Sequence, residues 1–233
     1  MIVEVATRIA SRLLTTGSTW ACCLPKSGVL NAEEVFGNSS NERALNIGVA
    51  GELFVFKFME QLKLPGFSVK NWTSSFRTRV SDPPEFCGTG EPEEPEIADI
   101  RYMDEDGQFT KYLREATRGR IPIPEEQGAE KFQPIEYLIE VKATTSIKGG
   151  TEFHMSGCQK RTMDGFEAVD GVRPKTPYVI WRVHDFLGAE PKFQIYVGGK
   201  QLGSQRSGKG DWSVTLRNWR NQARSLFGCI MLG

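Results

Sequence analysis

The sequence predicts an α/β fold with an N-terminal helical extension, and three observations carry that expectation. Leu45, Val49, Leu53, Phe56 and Met59 recur at three- and four-residue steps, the spacing of one buried helix face. Tyr137 to Ala143 is rich in Leu, Ile and Val and is the most strand-like segment of the chain. Helix, strands, helix and strands then alternate along the sequence without an internal repeat.

Residues 1–16 read as a short helix and 17–38 as a Gly/Ser/Pro-containing connector, so an appendage of about 40 residues precedes the core. Ser39-Ser40-Asn41-Glu42 fits a capping box and starts the first core helix, which Pro65-Gly66 stops. Phe67 to Trp72 is expected as a strand. Ser81 to Glu96, with four prolines and five glutamates, is expected as a solvated loop. Ile97 to Tyr102 is short and β-prone, and Asp104 to Gly107 closes it as a turn. Charge, Gly and three prolines mark 108–134 as an insertion between strands. A short helix should follow Ser156, with strands at Tyr178–Val183 and Phe193–Val197 around a turn at Gly188. A loop over 198–210 and an Arg-rich helix with Trp219, Ala223 and Leu226 complete the expectation.

Composition narrows the function. The 233 residues are 39% hydrophobic and 25% charged, enough for one sizeable core or two small ones. Twenty-nine basic side chains balance 29 acidic ones, so no global field recruits a polyanion. The halves differ, however. Residues 1–136 carry 15 basic and 21 acidic groups, and residues 137–233 carry 14 and 8, which places any polyanion-binding face in the second half. No run of about 18 apolar residues suggests a membrane span. Glu4, Arg8 and Arg12 interrupt the uncharged segment a secretion signal needs. Five cysteines without a C-x-x-C pattern fit neither a disulfide framework nor a zinc ribbon, so the expected setting is intracellular, nucleus or cytoplasm.

Chemistry concentrates at Leu138-Ile-Glu-Val-Lys-Ala143. Residues two apart on a strand share a face, so Glu140 and Lys142 stand side by side while Ile139 and Val141 face apolar packing. A charged pair on an otherwise apolar strand must be solvated, paired or part of a site. Asp99, in Ile-Ala-Asp-Ile, has the same kind of surroundings. Paired strands would bring Asp99 and Glu140 within about 4–6 Å. Two hard carboxylates with open water positions suit Mg²⁺ (or Mn²⁺), and a neighbouring lysine steadies phosphate charge or the attacking water. The plainer account is a surface hairpin with a Glu–Lys pair worth about 0–1 kcal/mol. Glu52 borders the apolar stripe of the first core helix, where a carboxylate either reaches the stripe's edge or answers a cation. Gln159 completes a capping box with Ser156, which alone would explain it.

These strings together resemble a family. Gly51 to Leu62, Ile97-Ala-Asp-Ile100, Tyr137 to Thr145, Phe153-His-Met-Ser156 and Tyr178 to Asp185 are similar to the C-terminal domain of the plant protein NO VEIN. That family is assigned to the PD-(D/E)XK superfold, and the similarity spans roughly residues 45–200. It implies a restriction-endonuclease-like core over 41–233, a mixed central sheet flanked by helices, with the long insertion at about 108–135. Position by position it implies Asp99 and Glu140 as metal ligands, Lys142 as the catalytic lysine and Glu52 as the helix acid. The chain departs from the family in two places. The link between the acid strands is usually short, and a Glu commonly stands where this chain has Gln159, although some nuclease relatives use a glutamine there to hold the site or the phosphate.

The implied activity is hydrolysis of phosphodiester bonds in DNA or RNA, within or beside a larger ATPase- or helicase-like protein. The alternative is a non-catalytic docking or nucleic-acid-binding module that keeps the fold. Weaker candidates for phosphate contact are Arg206 and Lys209, in a string that nearly spells a P-loop but lacks its hydroxyl residue, and Arg217 and Arg220 near Trp212 and Trp219.

Overall fold

A computed structural model describes residues 39–80, 96–117, 132–149, 151–166, 176–187 and 191–197, and strands at 202–206 and 212–216. Helix α1 spans Ser40–Gln61, and Ser39 accepts from the Glu42 backbone N–H as its cap. Its second half is buried on every side, from Val49 to Met59, because it lies against a four-stranded sheet and is wrapped by the turns that follow it. Gly51 makes that approach possible: a Cβ there would sit 2.3 Å from the Cβ of Ala143 on the sheet.

The sheet contains β1 (Ile100–Asp104), β2 (Ile135–Ala143), β4 (Tyr178–His184) and β5 (Lys192–Val197), in the order β1-β2-β4-β5. The β1–β2 and β4–β5 pairs are antiparallel and β2–β4 is parallel. It is a mixed sheet flanked by helices, and the α/β expectation holds at that level. One face packs under α1 with Ile100, Tyr102, Ile139, Val141, Val179 and Trp181. The other carries Leu138, Tyr178, Ile180 and Tyr196 and packs on α3 (Gly157–Gly165) and a small antiparallel sheet, β3-β7-β6. That sheet is built from β3 (Phe153–Met155), β6 (Leu202–Arg206) and β7 (Trp212–Leu216).

Three local expectations change. Phe67–Trp72 is not a strand. Val69–Asn71 forms a 3₁₀ turn in which the Ser68 N–H donates to the Asn71 side chain, and Trp72 keeps only a single bridge to Ile100. Short polar side chains offered the backbone a local alternative to pairing. The start of the insertion is ordered as α2 (Gln108–Thr117), which buries Phe109, Thr110 and Leu113. Within 198–210, residues 202–206 form β6 rather than loop, paired with β7, so Arg206 ends a strand. Trp212 begins β7, where Val214 and Thr215 favour the extended backbone, and the Arg-rich helix expected around Trp219, Ala223 and Leu226 lies outside the described residues. The 1–38 segment, Gly188, Lys209, Arg217 and Arg220 lie outside the described residues. Among the described residues, no helix is long and apolar enough to cross a membrane.

Candidate active site

β1 and β2 pair with Ile100 opposite Ile139, and Asp99 is the bend residue just before β1, at the end of the ladder where β2 runs on into Glu140. The backbone holds it there: the Thr73 and Ser74 N–H groups both donate to the Asp99 carbonyl. Its carboxylate accepts the Val141 N–H at 2.6 Å, a bond to the residue between Glu140 and Lys142. Sequence spacing and sheet register therefore converge on one place.

Glu140 is 1% exposed and fully engaged. Its Oε1 lies 2.8 Å from Lys142 Nζ and accepts from Gln159 Nε2 at 2.5 Å. Its Oε2 accepts from the Tyr178 hydroxyl at 2.9 Å. Gln159 does two jobs at once. It forms the capping box of α3 with Ser156, and its Oε1 also accepts from Lys142 Nζ at 3.1 Å. The capping and site readings of Gln159 thus describe the same side chain.

Glu52 is buried within α1, and its Oε2 accepts from Trp72 Nε1 at 2.8 Å. Burial pushes its carboxyl up to about 8, with Glu140 and Glu96 adding to the rise and hydrogen bonds from Trp72 and Ser74 opposing it. Asp99 is held well above the ordinary carboxylate range, first by burial and then by Glu140 and Glu52. Burial alone would pull Lys142 down, but Glu140, Asp99 and Glu52 outweigh it and raise its affinity for the proton. The Tyr178 hydroxyl is likewise pushed up, by burial and then by Glu140.

Three buried carboxyl groups around a single ammonium cannot all ionise without leaving excess negative charge in a low-dielectric place, which is why Glu52 and Asp99 are raised. Hard oxygen donors in that state suit a divalent cation such as Mg²⁺ or Mn²⁺, which needs only one or two carboxylates beside waters and phosphate oxygens. Among the described residues no group of three or more His, Cys, Asp or Glu forms a ready cage. Asp99, with one backbone partner, and Glu140, with both oxygens already engaged, are the carboxylates nearest Lys142.

Sequence reasoning missed Tyr178 and Trp72. Tyr178 opens an apolar run that signals only packing, and Trp72 closes a segment whose composition predicts a strand. Arg206 ends β6, in the small sheet rather than beside Glu140 on β2. No family model, curated protein or solved structure matches this chain.

Proposed function

We propose that the chain is a divalent-metal-dependent nuclease of the restriction-endonuclease-like kind, hydrolysing phosphodiester bonds of nucleic acid. One observation carries this reading: Asp99, Glu140 and Lys142 meet at the β1–β2 junction, with Glu52 behind them. The resemblance of these strings to the NO VEIN C-terminal domain would imply the same superfold, and a larger ATPase- or helicase-like protein as the assembly it serves.

Asp99 and Glu140 would hold the cation, which when bound lowers the pKa of its water and offsets charge growing on the phosphate. Gln159 and Tyr178 fix the Glu140 carboxylate from two sides, so its lone pairs keep one orientation. Lys142 holds its proton more tightly than an ordinary lysine. Paired with Glu140 and Gln159, it would act as a donor, orienting the attacking water or contacting a phosphate oxygen. In the hydrolysis a water oxygen bonds to phosphorus, one ester P–O bond breaks, and the leaving oxygen takes a proton. Glu52 sits beyond reach of solvent on Trp72 and supports the charge balance.

Cleavage of plasmid or oligonucleotide with Mg²⁺ or Mn²⁺ tests the reading. Asp99→Ala and Lys142→Ala should each lower turnover, on the order of 10²–10³-fold, with the fold intact by circular dichroism. Full activity in either variant would defeat it. The second reading, a non-catalytic docking or nucleic-acid-binding module, draws on Glu140, whose two oxygens already have protein partners. Binding without cleavage under every divalent ion would favour it.

A further inference from the structure

Beside the half-buried Lys142 the sheet carries a buried cation that the site described so far does not use. Arg182 on β4 is the register partner of Lys142 on the parallel strand β2, and Gln194 on β5 is the next residue in the same row. Register partners share a face, so the guanidinium and the lysine belong to one surface of the sheet, about 4.8 Å apart at the backbone.

Arg182 is 3% exposed. Among the described residues no carboxylate pairs with it. Its Nη2 donates to the Thr151 hydroxyl at 3.1 Å, its guanidinium lies 5.3 Å from the centre of the Phe153 ring, and its Nε is buried without a partner. Two residues along the same face, the Nδ1 of His184 is also buried without a partner. Lys142 differs in this respect, because its charge is already answered by Glu140. An unanswered buried charge is costly, and a ligand of opposite sign that reached it would relieve that cost. Burial also pulls the guanidinium down to about 10, a direct sign of that cost, although it stays charged at neutral pH. Thr151 is itself half-buried and donates to the Lys148 carbonyl at 3.0 Å, so the guanidinium lies one residue below solvent.

We propose that Arg182 is a phosphate-binding residue that holds the backbone phosphate next to the one being cut. The planar fork of arginine suits a phosphodiester better than a point charge does, since two parallel N–H groups meet two oxygens. Its place in the row beside Lys142 sets the strand's path across β2 and β4 and away from the acidic cluster. The proposal rests on the nuclease reading for the identity of the neighbouring phosphate, but the anion site itself does not.

The test uses the whole chain in EDTA, with inorganic phosphate as the probe against chloride at matched ionic strength. Binding is read by ³¹P line broadening and by Tm. The variants are Arg182→Met and Arg182→Lys. Wild type should broaden the phosphate signal and gain Tm. Arg182→Met should lose both while its Tm in chloride is no lower than wild type, because an apolar side chain removes an unanswered charge. A core arginine with a purely structural role would give the reverse. With Mn²⁺ and an oligonucleotide, Arg182→Met should raise KM about tenfold or more with little change in kcat, and Arg182→Lys should fall between. Phosphate binding that depends on Arg182, without cleavage by any divalent ion, would sink the nuclease reading and leave the anion site standing. Undiminished phosphate binding and wild-type KM in Arg182→Met would overturn the anion site and leave the nuclease reading standing. Failure of both variants to fold would also overturn it, by making Arg182 a structural group.

Discussion

The two ends of β1 each bury an aspartate, and the two are treated in opposite ways. Asp104, 0% exposed, accepts from the backbone N–H of Phe109 at 3.3 Å and of Thr110 at 2.8 Å. It also accepts from the Thr110 hydroxyl at 2.6 Å, which in turn contacts the Tyr137 hydroxyl. Three donors at the start of α2 are aimed at this carboxylate, as at a helix N-terminus. Asp99 is 4% exposed, accepts one backbone N–H, and faces Glu140 and Glu52. Burial is equal; the company differs. A carboxylate ringed by donors holds the fold, whereas a carboxylate set against other carboxylates costs the fold stability and needs a reason outside it.

The largest effect that would break this contrast is at Asp104. Asp104→Ala strands two buried N–H groups and a hydroxyl, at about 3 kcal/mol in sum. A fall in Tm on the order of 10 °C is expected by calorimetry, with residual folded protein still cleaving nucleic acid. An unchanged Tm would make the two aspartates alike.

Next comes pH. The Glu52 carboxyl titrates near 8 in the fold and near 4.5 when free, so the folded chain holds the extra proton between those values. Stability from that proton is fully present below about pH 4.5 and is lost as pH rises through 8. In EDTA the Tm should therefore drop between pH 5 and 8, on the order of 5 °C, and Glu52→Gln should flatten the profile. A wild-type Tm that rises over that range would show that Glu52 is not in the state described.

How much of this was readable beforehand follows from distance along the chain. Glu140-Val-Lys142 declared itself through alternation alone, because Ile139 and Val141 fixed which face the charges took. Gln159 was visible through its capping box, a three-residue relation. Trp72 and Tyr178 were not, since they reach Glu52 and Glu140 across 20 and 38 positions, and only tertiary packing joins them. α2 hid within a charged stretch, though Phe109, Tyr112 and Leu113 at helical spacing carried the signal. Arg182 was open to view as the lone charge in the apolar run Tyr178–Val183. Its meaning depended on Lys142 standing beside it, which needs the parallel register.

The smallest effect is also the sharpest discriminator. Asp99→Asn keeps an oxygen for the Val141 N–H and removes the charge that Glu140 and Glu52 oppose. Burial and those two neighbours raise the affinity of Asp99 for a proton, so toward low pH, where the protonated form is favoured, the substitution should change the metal-free Tm least. As the pH rises to 8 the wild type must either ionise against its neighbours or hold the proton at a cost, and the variant does neither. Its Tm in EDTA should then exceed wild type by a degree or two. Mn²⁺ reverses the ranking. Binding to the folded wild type at ten times Kd adds about 1.4 kcal/mol, a shift of a few degrees for a chain this long, and Asp99→Asn should show little of it. Parallel melts at pH 5 and 8, with EDTA or Mn²⁺, decide the matter. A variant less stable than wild type at both pH values, in the absence of metal, would mean that Asp99 holds the fold as Asp104 does.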